Sequence, residues 1–92
     1  MIARRLVISG RVQGVGFRES LVDVAMRERA AGWVRNVHDG TVEAFVQGDE
    51  DAIERITAWC GRGPPAARVT AIDVVPADVD RSLTGFRRRP TA

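Results

Sequence analysis

The sequence of 92 residues contains no lysine and no tyrosine, and it has only one cysteine and one histidine. A lone Cys60 cannot form an internal disulfide, which favours a reducing compartment, so we expect the protein to be cytoplasmic. No apolar run approaches the ~20 residues that a membrane span needs. The first residues also lack the apolar core of a signal peptide. These absences exclude a disulfide scaffold, and we expect no membrane partner.

Excess charge of either sign is also missing. Fourteen basic residues, all arginine, and twelve acidic residues leave a formal net charge of +2. The arginines are scattered except at 87–89, and the few Trp and Phe residues do not lie among them as a stacking platform. We therefore expect no nucleic-acid partner. No His, Cys, Asp and Glu set has the spacing of metal ligands, so we expect no metal and no other cofactor.

The length of the chain limits its organisation. A chain of 92 residues buries roughly 60–70% of its unfolded surface, which is sufficient for one compact core. We find no internal repeat and no low-complexity segment. The sequence therefore predicts a single domain over residues 1–92, and we expect it to be a monomer.

The spacing of apolar residues predicts seven elements of secondary structure. In chain order they are a strand over 4–11, a helix over 20–30, strands over 33–37 and 41–47, a helix over 49–60, a strand over 69–75 and a short strand over 86–89. The first six elements have the order β-α-β-β-α-β, which predicts an α+β, ferredoxin-like split βαβ sandwich, in which two helices cover one face of an antiparallel sheet.

Local signals place the ends of several elements. Ser20 and Asp23 have the spacing of a capping box, which predicts the start of the first helix at Ser20. The residues that follow predict an apolar stripe of Leu21, Val24, Ala25 and Met26. The segment 38–40 is typical of a tight hairpin turn in which Gly40 adopts a positive φ. Asp49 predicts the N-cap of the second helix.

The segment GRVQGVGFR, residues 10–18, lies between the first strand and the first helix. Gly14 and Gly16 allow a turn whose backbone N–H groups point inward. The helix start adds free N–H groups and a partial positive charge, and Arg18 adds a planar fork of donors that matches a phosphate. The pattern predicts a phosphate-binding loop. It comprises Gln13, Gly14, Val15, Gly16, Phe17 and Arg18.

Two segments together resemble the signature motifs of the acylphosphatases. Residues 10–18 resemble the first motif, and GWVRNVHDGTV, residues 32–42, resembles the second at the spacing of the family. The likeness continues through 46–48 and 63–65 to Phe86 and Arg88, so it covers nearly the whole chain. The resemblance implies metal-free hydrolysis of an acyl phosphate to a carboxylate and inorganic phosphate. It implies that Arg18 and the loop hold the phosphoryl group and that Asn36 positions the attacking water.

Elementary chemistry agrees with these implied roles. The carboxylate of an acyl phosphate departs as a weak base, so the reaction needs no strong general acid and depends on positioning and charge stabilisation. Arg18 and a set of N–H groups would stabilise the charge on the phosphoryl oxygens. The amide of Asn36 can donate to and accept from a water without titrating.

Other residues of the two motifs have less specific interpretations. Gln13 is equally suited to supporting the loop and to contacting the phosphate. The side chains of Val15 and Phe17 are expected to pack or to line the mouth of the site. Arg35 is expected to face the side of the sheet opposite to Asn36. His38 lies in the predicted turn, and we expect a solvated side chain rather than a general base.

Three positions depart from the usual pattern of the family. Glu19 follows Arg18 where a neutral side chain is expected, so its charge could weaken substrate affinity or pair with Arg18 in the empty site. Leu21 stands where threonine is common, and Arg29 stands where glycine often ends the first helix. We expect the last two to alter stability rather than chemistry.

Two other functions remain open at this point. The first is a non-catalytic phosphate-sensing or interaction module, because one fold hosts many functions. The second is a domain detached from a larger enzyme that processes acyl or carbamoyl phosphates. The sequence contains no pocket motif that would select one acyl group. We therefore expect broad selectivity, with a small-molecule acyl phosphate as the partner.

Overall fold

The computed structural model describes residues 1–92 and contains two helices and five strands. These are β1 (Ile2–Arg11), α1 (Phe17–Arg27), β2 (Ala31–Asn36), β3 (Val42–Gly48), α2 (Glu50–Cys60), β4 (Arg68–Ala77) and β5 (Phe86–Arg88). The strands form one sheet in the order β4-β1-β3-β2-β5. The predicted ferredoxin-like sandwich is therefore confirmed.

The sheet is mixed, because its last strand runs parallel to its neighbour. β1 pairs with β3 and β4, and β2 pairs with β3, all in antiparallel register. β5 lies parallel to β2, with Phe86 opposite Gly32. β4 and β5 occupy opposite edges, so the segment between them has to cross the sheet. The predicted short strand over 86–89 is confirmed, but the prediction of a wholly antiparallel sheet is wrong because this strand runs parallel to β2.

The main core lies between the sheet and the helices. α1 buries Phe17, Leu21 and Ala25, which are spaced four residues apart. Met26 is 62% exposed, so its predicted place in the apolar stripe is wrong. It lies about 100° around the helix from Ala25 and points away from the sheet. Among the other buried side chains of this core are Leu6, Ile8, Val34, Val42, Ala44, Val46, Ile53, Ile56, Cys60 and Phe86.

A smaller apolar cluster covers the opposite face of the sheet. It contains Ala3, Trp33 and Phe45, and the Trp and Phe rings stack with centroids 6.3 Å apart. Ala77 at the end of β4 packs on it, as do Val79 and Leu83 of the segment that follows. The buried Gln47 accepts a hydrogen bond from the Asp80 N–H and donates to the Asp80 carbonyl, both at 2.8 Å. These bonds hold the crossing segment on the sheet.

The ends of α1 differ from those predicted. The helix begins at Phe17, and its N-cap is Gly16 with a left-handed φ of 79°, so the predicted capping box of Ser20 and Asp23 is wrong. A left-handed glycine ends the preceding loop, and no side chain then caps the helix. Past its C-terminus, Arg29 has a φ of 57°, as a glycine would adopt easily. Neither helix is long and apolar enough to cross a bilayer.

The single thiol of the protein lies inside the main core. Cys60 is fully buried at the end of α2, and burial raises the pKa of its thiol to about 12. The ordinary value is 9.0. Since only the thiolate is nucleophilic, burial and the raised pKa both suppress its reactivity. The expected packing role of Cys60 is confirmed.

We predict that Cys60 in the native protein reacts with Ellman's reagent at pH 8 roughly 10³-fold more slowly than an exposed cysteine, because each unit of raised pKa removes about tenfold of thiolate. The measurement is the rate of thionitrobenzoate release. The same protein in guanidinium chloride is the control and should react fully at once. Rapid reaction of the native protein would contradict the buried placement.

Candidate functional site

The loop between β1 and α1 is shaped by two glycines in the left-handed region. Gly14 has a φ of 73° and Gly16 a φ of 79°. A residue with a Cβ adopts this conformation at a cost of about 1–2 kcal/mol. A Cβ added to either glycine would meet no atom within 4 Å, so this side of the loop faces open space. The glycines are therefore required by the turn itself and leave room for a ligand to approach.

A continuous row of backbone donors follows this loop into the helix. Ser20 is the first residue of α1 whose N–H is bonded, to the Gly16 carbonyl at 3.0 Å. The N–H groups of residues 13–19 make no hydrogen bond within the chain. Free N–H groups at a helix start carry partial positive charge and suit an anion. The row coincides with the segment predicted to bind phosphate and gives it a set of free donors.

Gln13 fastens this loop to the hairpin that joins β2 and β3. Its Nε2 donates to the Val37 carbonyl at 2.8 Å and to the Thr41 carbonyl at 2.9 Å. Asp39 closes the same hairpin, because its carboxylate accepts from the Thr41 hydroxyl at 2.7 Å and the Thr41 N–H at 2.9 Å. These bonds, the hydroxyl first, hold the pKa of Asp39 below its ordinary value. Of the two roles open to Gln13, the structure shows the supporting one.

Apolar side chains hold the other side of the loop. The Phe17 ring is buried, and its centroid lies 5.3 Å from that of Trp59 on α2. Val15 is half-buried and packs against the main core. The expectation that both side chains pack is confirmed. The start of α1 is thereby fixed to the body of the protein while its N–H groups stay free.

Asn36 is the last residue of β2, rather than an internal one as the predicted strand had it. Strand alternation places its side chain on the same face as Val34, toward the helices. Its Oδ1 is buried and accepts no hydrogen bond. A buried acceptor without a donor costs about 1–3 kcal/mol, so this oxygen is a strong candidate for binding a ligand group or a water. Gln13 brings the loop to Val37, the next residue along the chain.

Arg35, next to Asn36, faces the opposite side of the sheet as predicted. Its Nε donates to Glu43 at 2.8 Å, and its guanidinium lies 4.8 Å from the centre of the Trp33 ring. The guanidinium of Arg35 therefore finds its partners on the side of the sheet opposite to Asn36. His38 is exposed in the hairpin turn, which agrees with the expected solvated side chain.

Arg18 is the second residue of α1 and is half-buried. Its guanidinium forms no ion pair and no hydrogen bond with another side chain. The expectation that Glu19 could pair with it is wrong, because Glu19 Oε1 instead lies 2.9 Å from Arg88 Nη1 on β5. Sequence reasoning missed this partner, since Arg88 is 69 residues away in the chain.

The arrangement therefore combines three kinds of unsatisfied polar group near one end of the sheet. They are the N–H row of residues 13–19, the guanidinium of Arg18 and the amide oxygen of Asn36. The first two suit the oxygens of a phosphoryl group, and the third can accept a hydrogen bond from a water. Nowhere in the structure do three His, Cys, Asp or Glu side chains gather as they do around a metal ion.

Comparison with known proteins shows similarity to acylphosphatases in both sequence and structure. A model of the acylphosphatase family matches residues 4–88. An acylphosphatase of Acidiphilium cryptum is 58% identical over 72 residues, which cover 78% of this chain and 79% of that protein. One of Anaeromyxobacter dehalogenans is 47% identical over 88 residues, 96% of this chain and 95% of that protein. The crystal structure of acylphosphatase from Bacillus subtilis has a TM-score of 0.92 at 35% identity and covers 97% of this chain and 99% of its own.

We predict that Gln13→Ala lowers the free energy of unfolding by about 1–3 kcal/mol, because the variant loses two hydrogen bonds to carbonyl oxygens of the hairpin, each of which contributes about 0.5–1.5 kcal/mol. The measurement is equilibrium unfolding in urea. Gln13→Glu is the matched control, since it keeps the length of the side chain but removes the donor, and it should also destabilise. Unchanged stability in both variants would show that the two bonds do not fasten the loop.

Proposed function

The chain belongs to the acylphosphatase family, and we propose that it hydrolyses small acyl phosphates to a carboxylate and inorganic phosphate without a metal ion. One observation carries the mechanism that we propose. The N–H groups of residues 13–18 and the guanidinium of Arg18 have no partners in the chain, and they lie together at the start of α1. A phosphoryl group supplies oxygens for all of these donors.

In this proposal the phosphoryl group binds in the loop formed by Gln13, Gly14, Val15, Gly16, Phe17 and Arg18. The backbone N–H groups and Arg18 donate hydrogen bonds to its equatorial oxygens and stabilise their negative charge. Because these donors are fixed before the substrate arrives, they stabilise the charge of the transition state with little reorganisation. The open space beside Gly14 and Gly16 allows the phosphoryl oxygens to approach the backbone closely.

Asn36 positions the attacking water in the proposed mechanism. Its Oδ1 accepts a hydrogen bond from the water, whose oxygen attacks phosphorus in line with the bond to the acyl oxygen. The new P–O bond forms as the bond between phosphorus and the acyl oxygen breaks, and the carboxylate leaves with the bonding electrons. The proton of the water passes to a phosphoryl oxygen. The buried and otherwise unbonded state of Oδ1 supports this role.

The setting of this reaction is also proposed. We infer that residues 1–92 act as one domain and as a monomer in the cytoplasm, on a small-molecule substrate and with neither nucleic acid nor membrane as a partner. One main core joins α1 and α2 to strands β1, β2 and β3, which supports a single cooperative unit.

We predict that the purified protein hydrolyses benzoyl phosphate in excess EDTA, and that Asn36→Ala lowers kcat by roughly 10²–10³, the usual effect of losing one preorganised polar contact. Arg18→Ala should abolish both binding and turnover. His38→Ala is the control and should keep the turnover of the parent, since His38 is exposed in the turn.

Two outcomes of this assay would contradict the proposal. Normal turnover of Asn36→Ala would show that Asn36 does not position the water. A folded parent protein that binds phosphate but hydrolyses nothing above the spontaneous rate would instead indicate the non-catalytic phosphate-binding module.

We predict a second, separable effect for Arg18→Lys. The variant keeps the positive charge but loses the planar fork, so both the affinity for inorganic phosphate and kcat should fall. The measurements are phosphate titration by calorimetry and initial rates with benzoyl phosphate. Equal affinity and rate in Arg18→Lys would show that only the charge of Arg18 matters.

A further inference from the structure

We propose that Arg88 holds the carboxylate of Glu19 outside the phosphate-binding loop, and that a released Glu19 would occupy the loop in competition with the phosphoryl group. The inference rests on the proposed function, since it concerns the same site. It makes Arg88 a positioning residue that acts through Glu19 and does not itself touch the substrate.

The position of Glu19 in the helix gives the reason for competition. Gly16 is the N-cap of α1, so Glu19 is the third helical residue. A glutamate at this position commonly reaches back to accept a hydrogen bond from the N-cap N–H, as in a capping box. Here that group is the free N–H of Gly16, which belongs to the proposed phosphate site. The local structure therefore favours a carboxylate in the place where the phosphoryl group has to bind.

The structure shows this carboxylate turned elsewhere. Glu19 Oε1 accepts a hydrogen bond from Arg88 Nη1 at 2.9 Å, and the side chain makes no contact of this kind with Arg18. The two side chains are 69% and 48% exposed, so the pair contributes little to stability and has room to open. An open depression of about 280 Å³ lies beside it, lined by Glu19, Val22, Asp23 and Arg88.

Neighbouring charges determine where a released Glu19 would go. Asp23 lies four residues further along the same helix, where a like charge repels Glu19 away from the depression. The free N–H groups at the helix start and the guanidinium of Arg18 attract it in the opposite direction. Arg88 is thus the group that keeps Glu19 away from the ligands of the phosphoryl group.

The test is calorimetric titration with inorganic phosphate at low ionic strength, together with benzoyl phosphate kinetics. Arg88→Ala should raise the Kd for phosphate and the KM by about two- to fivefold, the range expected for one charge at a helix start, with kcat unchanged. Added salt should shrink this difference. The double variant Arg88→Ala with Glu19→Ala should return both constants to the parent values, and Arg88→Lys should stay close to the parent.

Arg87→Ala is the matched control, because it removes the same charge from the same strand on its other face and should change Kd by less than about twofold. An equal rise in Arg87→Ala, an unchanged Kd in Arg88→Ala, or a double variant as weak as Arg88→Ala would each overturn the inference. A parent that binds phosphate without turnover would contradict only the proposed function, since the Kd series still tests the pair. A parent that does not bind phosphate would overturn both.

Discussion

The loop before α1 and the first residues of α1 together leave seven consecutive backbone N–H groups without partners, and the surrounding structure is arranged around that constraint. Buried N–H groups are almost always paired, so a row of free donors is stable only where it faces water or a ligand. Gly16 satisfies the requirement by turning the chain into the helix with a left-handed φ of 79° and no capping side chain. A serine or aspartate cap would have bonded to one of the same donors and removed it from the row.

Holding such a loop in place requires contacts that do not use its N–H groups. The side chain of Gln13 bonds to the hairpin after β2, and the ring of Phe17 packs on Trp59 of α2. Both contacts are made by side chains, one to the hairpin and one to α2, so neither uses a backbone N–H group of the loop. The first of them also fixes the loop relative to Asn36, whose amide oxygen stays unbonded. In the nine-residue segment 10–18, side chains thus hold the loop in place while the backbone N–H groups stay free to bind a ligand.

The ion pairs around the site also leave one group free, the guanidinium of Arg18. Arg18 remains unpaired although Glu19 is its neighbour in sequence, because successive residues of a helix point about 100° apart and Glu19 meets Arg88 from β5. Arg35 is likewise engaged on the far side of the sheet, with Glu43 and Trp33. Arg18, which the family resemblance selects, is thus left without a carboxylate partner. The position of β5, parallel to β2 at the edge of the sheet, brings Arg88 to Glu19 and so leaves Arg18 without that partner.

The order of elements, the two helices on one face and the glycine turn before α1 could all be predicted from the sequence, because apolar periodicity and glycine spacing act within a few residues. The role of Asn36 is implied by the family resemblance alone. Local signals failed where two were in conflict: the spacing of Ser20 and Asp23 suggested a cap, but Gly16 had already begun the helix. The sequence by itself determined the type of each element and the donors of the loop. Only the tertiary structure decided the support role of Gln13, the unbonded state of Asn36 Oδ1 and the pairing of Glu19 with Arg88. The bonds of Gln13 and the pairing of Glu19 join residues far apart in the chain, and no local pattern specifies which distant group a side chain will meet or, as for Asn36, that none will.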